Sequence, residues 1–139
     1  MQKILNKIFI IVLIFCNSCS KGDPIVNISS SNRKGYLDNE ETKTFITLIE
    51  KLVNRNDLKV KNSGLAKPVW QLSFQKAGLK HIVSVYNFNL ISLESNEKFD
   101  LYKLDENLRK EIELLFVKLD PKSTKIVRMY HQKSSSEEE

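Results

Sequence analysis

The sequence predicts an α+β domain, an antiparallel meander of about four to five strands with two amphipathic helices packed on one of its faces. Three observations carry this expectation. Two segments repeat apolar residues at helical spacing, one early and one late in the chain. The stretch between them alternates apolar and polar residues with period two. Short polar turns divide that stretch closely enough for consecutive hairpins.

The first helix is expected over Asp38 to Asn54, where Phe45, Leu48, Ile49 and Leu52 fall at i, i+3, i+4 and i+7, and Ile46 and Val53 widen the stripe. Asp38 followed by Glu41 reads as a capping box, because a side-chain oxygen there takes up amides that the first turn leaves unpaired. Asn54-Arg55-Asn56 ends the helix. A strand then runs over Leu58 to Lys61, before a turn at Asn62-Ser63-Gly64. The clearest strand is Val69 to Lys76, with Trp70, Leu72 and Phe74 on one face and Gln71, Ser73 and Gln75 on the other. Ala77-Gly78 turns the chain, and Lys80 to Glu94 reads as two strands broken near Asn87 to Asn89. After Ser95-Asn96, Lys98 to Leu104 alternates again, with Phe99 and Leu101 expected opposite Asp100 and Tyr102.

The second helix is expected over Asp105 to Leu119, where Leu108, Ile112, Leu115, Phe116 and Leu119 make the strongest periodic signal in the chain. Asp105 suits its cap, and Glu106 with Lys110 forms an i, i+4 pair. Asp120-Pro121 stops it, since a proline ring cannot continue the amide ladder. Lys125 to Tyr130 reads as one more strand, and residues 132–139, ending in Ser134-Ser135-Ser136-Glu137-Glu138-Glu139, as a disordered polar tail. Residues 37–131 thus make a single domain. The Ser-, Asn- and Gly-rich segment over residues 19–36 reads as a flexible tether; the alternative is a short edge strand at Ile25 to Ile28. With both helices on the Trp70 side, the face carrying Gln71, Ser73 and Gln75 is left to solvent or to a partner.

The N-terminus follows a different logic. Lys3 and Lys7 precede an unbroken apolar run from Ile8 to Phe15, after which Asn17, Ser18, Cys19 and Ser20 are small and polar. That order is the pattern of a secretory signal, and the run is far shorter than the ~20 apolar residues that a membrane-spanning helix needs. The tail of the segment, Cys16-Asn17-Ser18-Cys19, resembles the lipobox of bacterial lipoproteins, in which a small residue precedes the cysteine that becomes the new N-terminus. Ser18 fits that place. Cys16 stands where the usual aliphatic residue would be, and a cut before Cys16 itself would put bulky Phe15 in a pocket shaped for small side chains.

The resemblance covers only the first twenty or so residues. It implies cleavage between Ser18 and Cys19, acylation of Cys19 by chains of the palmitate class, and residence on membrane lipid in the cell envelope, with Ser20 favouring the outer membrane. Cysteine usage points the same way. No cysteine follows Cys19, so the mature chain has no internal disulfide, and a freely secreted form would carry one unpaired thiol.

Removing residues 1–18 takes away two lysines and no acid, which lowers the formal charge from +5 to +3. The signs are interleaved along the chain, so nucleic acid is not expected as a partner. His81 and His131 have no Cys, Asp or Glu at ligand spacing, so no metal is expected. No Ser or Cys sits in a nucleophile motif, and single turns account for Gly35, Gly64 and Gly78 without a phosphate loop. Asp100, Asp105 and Glu106 are conceivable as paired carboxylates for glycan chemistry, but a cap and a wet strand face explain them without it. Trp70, Tyr86, Tyr102 and Phe99 read as core and cross-strand pairs before they read as a ligand groove.

The expected function is therefore that of a lipid-anchored envelope module, non-enzymatic and without a cofactor, that binds an envelope protein or serves an accessory role. The alternative is a small envelope enzyme or ligand carrier, which would need a pocket gathering polar groups from separate elements.

Overall fold

The computed structural model describes residues 24–61 and 64–137, with side chains as far as Tyr130. The order of elements is β1 (Asn27–Ser29), β2 (Lys34–Tyr36), α1 (Asn39–Val53), a 3-10 turn (Asn56–Leu58), β3 (Lys59–Val60), β4 (Trp70–Lys76), β5 (Leu79–Asn87), β6 (Leu90–Ser95), β7 (Lys98–Lys103), α2 (Glu106–Leu119) and α3 (Pro121–Glu137). The strands form one antiparallel sheet in the order β2-β1-β4-β5-β6-β7-β3. The expected meander is its centre, β4 to β7. The sheet has 7 strands rather than four or five because short strands extend both edges.

Both expected helices form where their stripes place them. Asp38 caps α1 by accepting from the Glu41 amide at 2.8 Å, while the Glu41 carboxylate accepts from the Asp38 amide at 2.9 Å. Asp105 caps α2 through the Leu108 amide at 2.9 Å. The two helices cover the Trp70, Leu72, Phe74 face of the sheet in one continuous core. Phe45 of α1 meets Phe74 edge-on at 6.2 Å, and Phe116 of α2 lies 4.4 Å from Trp70, centroid to centroid. Trp70, Phe116, Leu52, Leu72 and Ile91 are essentially removed from water, and each such side chain contributes about 1.5–3 kcal/mol of apolar burial.

Four expectations are corrected. Part of the tether is sheet: Ile28 pairs with Leu72 and Gly35 pairs with Ile28, so residues 27–36 form a hairpin docked on β4. Val26 and Ile28 are fully buried, and two such residues outweigh the flexible composition around them. The strand expected over Leu58 to Lys61 is shorter than that: Leu58 ends a 3-10 turn, and Lys59 and Val60 pair with β7. The strand expected at Lys125 to Tyr130 is part of α3, whose backbone runs on to Glu137 through most of the expected tail. Pro121 ends α2 but also starts α3, because a proline lacks only an amide that the first helical turn leaves unpaired anyway.

The fourth correction is the facing of β7. Tyr102 lies in the core, and Phe99 and Leu101 lie on the other face. The hairpin turn fixes this. Asn96 and Glu97 have φ of 43° and 70°, a two-residue turn that pairs Ser95 with Lys98 and so sets Tyr102 against Ile91 and Leu101 against Ser92.

The β4–β5 turn has the same form, with φ of 53° at Ala77 and 75° at Gly78. Alanine is a poor occupant of the left-handed region, whereas Asn-Gly is the preferred pair for such turns. Ala77→Asn is expected to stabilise the fold by about 0.5–1 kcal/mol, seen as a higher urea midpoint with an unchanged slope.

The outer face of the sheet is partly closed. β3 lies beside β7 at one edge and β4 lies beyond β5, so three strands separate Val60 from Trp70 in the sheet. Ser84, Ser92 and Leu101, neighbours across that face, are all buried. Part of that cover is Tyr86, the residue left unopposed where the β5–β6 register shifts, whose hydroxyl lies 3.3 Å from Ser92 Oγ.

Candidate functional site

Ser18 and Cys19, the expected cleavage and lipidation residues, lie outside the described residues. So do Asn62 and Ser63, and the side chain of His131.

Gln71, Ser73 and Gln75 stand on the outer face of β4, as their alternation requires, with both glutamines exposed and Ser73 half-buried. Gln71 lies beside the covered row and reaches Ser84 Oγ at 3.5 Å. The open part of the face is the next row, in which strand pairing aligns Tyr36, Asn27, Ser73, Ile82, Glu94 and Phe99. Tyr36 at 67% and Phe99 at 41% exposure stand at its two ends. An aromatic at each end of a strip of Asn27, Ser73, Ile82 and Glu94 is a contact surface of the kind that partners use, since large rings supply apolar area at little entropic cost. Sequence reasoning missed Phe99 here because it assigned that ring to the core.

The residues weighed for chemistry are dispersed. His81 stacks on Phe74 at 5.1 Å, and burial together with the Lys76 charge lowers its pKa. Asp100 pairs with Lys59 at 3.6 Å. Asp105 caps α2 and pairs with Arg55 at 2.9 Å, and that guanidinium also holds Asp57. The capping amide and Arg55 hold the Asp105 carboxyl below the usual carboxylate range. Glu106 pairs with Lys110 at 3.3 Å. Tyr102 is pushed up to about 12 by burial and by Asp100. No group of three or more His, Cys, Asp or Glu able to hold a metal occurs among the described residues.

A groove of about 680 Å³ runs between α1 and α2. Its walls carry Lys43, Thr44, Lys51, Glu111 and Lys118, and the Lys51–Glu111 ion pair spans it at 3.2 Å. Besides that pair, Thr44 is turned to its own helix, donating to the Glu40 carbonyl at 3.1 Å. The lining side chains do not converge on a point, which a site for bond-breaking chemistry requires.

The most elaborate polar cluster is one that sequence reasoning missed. Asp120 is almost wholly buried at the α2–α3 joint. Its carboxylate accepts from Ser30 Oγ at 2.5 Å, from Trp70 Nε1 at 3.1 Å and from the Ser123 amide at 3.2 Å, the last of these capping α3. Burial drives its pKa up, but the donors from Ser30, Ser123 and Trp70 outweigh it and leave the carboxyl below the usual aspartate value. Arg33 donates to the Leu119 carbonyl at 2.6 Å and pairs with Glu41 at 3.1 Å, and Asn32 donates to Ser123 Oγ at 2.9 Å. Thr124 Oγ1 is buried beside them with no partner among the described residues.

Ser30 does not read as a nucleophile. Its oxygen accepts from the amides of Asn32 and Arg33 at 3.2 and 3.0 Å and spends its proton on Asp120. The cluster clasps the β1–β2 hairpin to the joint between α2 and α3. Two signals pointed to it: a buried indole N–H needs an acceptor, and Asp-Pro is as good a helix start as a helix stop.

No family model matches this sequence, and no curated protein matches it. Among solved structures, a Clostridium perfringens protein described as a putative lipoprotein is similar, with a TM-score of 0.52 and 16% identity over 64% of this chain and 79% of that one. The likeness is one of fold. At that identity, side-chain roles do not transfer, and every site residue above stands on its own geometry. Among the described residues, no helix is long and apolar enough to cross a membrane.

Proposed function

We propose that the chain is the precursor of a bacterial envelope lipoprotein, cut between Ser18 and Cys19, whose α+β body is held on the outer membrane by acyl chains on Cys19 and acts as a non-enzymatic binding or accessory module. The observation that carries this is the N-terminal order of charge, apolar run and small-residue cysteine box, with no cysteine after Cys19. More than one acyl chain on a single cysteine meets the two-signal requirement for stable anchoring, each buried methylene adding about 0.8 kcal/mol. The fold it shares with a protein described as a putative lipoprotein agrees with the reading. So does the dispersal of its titratable groups, which favours a binding role over catalysis. The contact surface on this reading is the open outer row together with Gln71, Ser73 and Gln75, and an envelope protein is the partner that an exposed sheet face with aromatic ends suits.

The test is Cys19→Ala in the producing cell, followed by membrane fractionation. The expected outcome is loss of the trimmed, membrane-bound form, with the protein released or left unprocessed. A variant that is trimmed and retained like the parent contradicts the proposal.

A further inference from the structure

α3 turns two opposite faces outward and inward. Ser123, Thr124 and Val127 are buried against the body, while Ile126, Met129 and Tyr130 on the far side are 47%, 61% and 71% exposed. Those three lie at i, i+3 and i+4 and form one apolar stripe, and Lys122 falls on the same face one turn earlier. Lys125 flanks it. Lys122 and Lys125 are exposed and have no acidic partner among the described residues, whereas Arg128, on the other flank, is held by Glu113. From Pro121 to Lys133 the sequence has four Lys or Arg and no Asp or Glu, and the acidic run Glu137-Glu138-Glu139 comes only after three serines. An exposed apolar patch edged by unpaired lysines and ending on a tyrosine suits a membrane interface, with the ring at headgroup level and the lysines toward lipid phosphate.

We infer that the outward face of α3 seats on an anionic lipid surface, with Ile126, Met129 and Tyr130 in the headgroup boundary and Lys122 and Lys125 against lipid phosphates. The inference rests on the lipid-anchor reading only for proximity: an acylated chain holds α3 near the bilayer, so a weak seat is enough to fix how the body lies. A second copy of the chain is a poorer occupant, since it would set these lysines against lysines.

The test uses the full chain with Cys16→Ser and Cys19→Ser, and with Met129→Cys or Gln75→Cys to carry a fluorophore. Vesicles of phosphatidylcholine, with or without phosphatidylglycerol, carry brominated acyl chains as the quencher. Every version keeps the same N-terminal apolar segment, so the comparison between labelled sites is the readout. The expected result is strong quenching at position 129 that needs phosphatidylglycerol, and little at position 75. Lys122→Gln and Lys125→Gln should each lower the seated-to-free ratio by about fivefold.

Equal quenching at the two sites, or quenching at 129 indifferent to phosphatidylglycerol, overturns the inference. So does a lipid-free dimer in sedimentation that shields the 129 label, which would give the face to a second copy. Because this version carries no acyl group, its failure leaves the cut at Cys19 standing, and a failure of acylation leaves this result readable.

Discussion

Trp70→Ala is expected to lower the free energy of unfolding by about 3–5 kcal/mol. A domain of this size has about 5–15 kcal/mol in all, so the variant should be largely unfolded at modest urea. The size of the effect follows from where the indole sits. It is fully buried, lies 4.4 Å from Phe116 and 5.7 Å from Phe88, and donates to Asp120. Alanine removes a side chain on which strand, helix and turn all pack, and it also leaves a buried carboxylate with one donor fewer. Trp70→Phe separates the two effects. It keeps most of the ring contacts but loses the donor, and is expected to cost about 1–3 kcal/mol. Circular dichroism against urea measures both, since Trp70 is the only tryptophan. A Trp70→Ala variant as stable as the parent would mean that the core is not centred here.

Asp120→Ala is expected to cost about 2–4 kcal/mol. The loss combines a helix cap of about 1 kcal/mol with the buried donors of Ser30 and Trp70 left without an acceptor, about 1–3 kcal/mol. Asp120→Asn keeps one carbonyl oxygen and should cost less, with Trp70 fluorescence reporting each transition. The carboxylate also sets a pH dependence. Its pKa is lower in the folded protein than in the unfolded chain, so the unfolded state binds its proton first. The stabilisation is therefore complete above the ordinary aspartate pKa of about 3.9 and is lost as pH falls through the folded value beneath it. Glu41, lowered by its hydrogen bonds with Arg33, contributes with the same sign. The difference between parent and Asp120→Asn isolates the Asp120 share: it should be constant near neutral pH and shrink in acid. A difference that grows in acid would reverse the assignment.

The elements that the sequence made legible are those where one local pattern decides the matter. The α1 stripe with its Asp38–Glu41 box, the α2 stripe capped by Asp105, and the strict alternation from Trp70 to Lys76 each need no knowledge of the rest of the chain. The elements that were not legible depend on distant partners. Residues 27–29 and 34–36 are sheet because β4 offers an edge to pair with and because Val26, Ile28 and Leu37 enter the core. Lys125 to Tyr130 has β-branched residues on both sides of a helix, and only the packing of Val127 and the cap at Asp120 decide its form.

The facing of β7 was hidden for a different reason. Phe99, Leu101, Tyr102 and Leu104 offer apolar residues to both faces, so the pattern alone leaves the register open and a turn two residues long decides it. Of the candidate site, Gln71, Ser73 and Gln75 were placed correctly on the outer face, but the row that stays open includes Tyr36 and Phe99, which follow only from strand pairing. The Asp120 clasp joins residues 90 positions apart, a distance at which spacing carries no signal.

The most direct test of the anchored-module account is the intact mass of the protein purified from cell membranes. The account predicts a chain beginning at Cys19 that carries the added mass of acyl chains. A chain that begins anywhere else, or one that begins at Cys19 with a bare thiol, would contradict it.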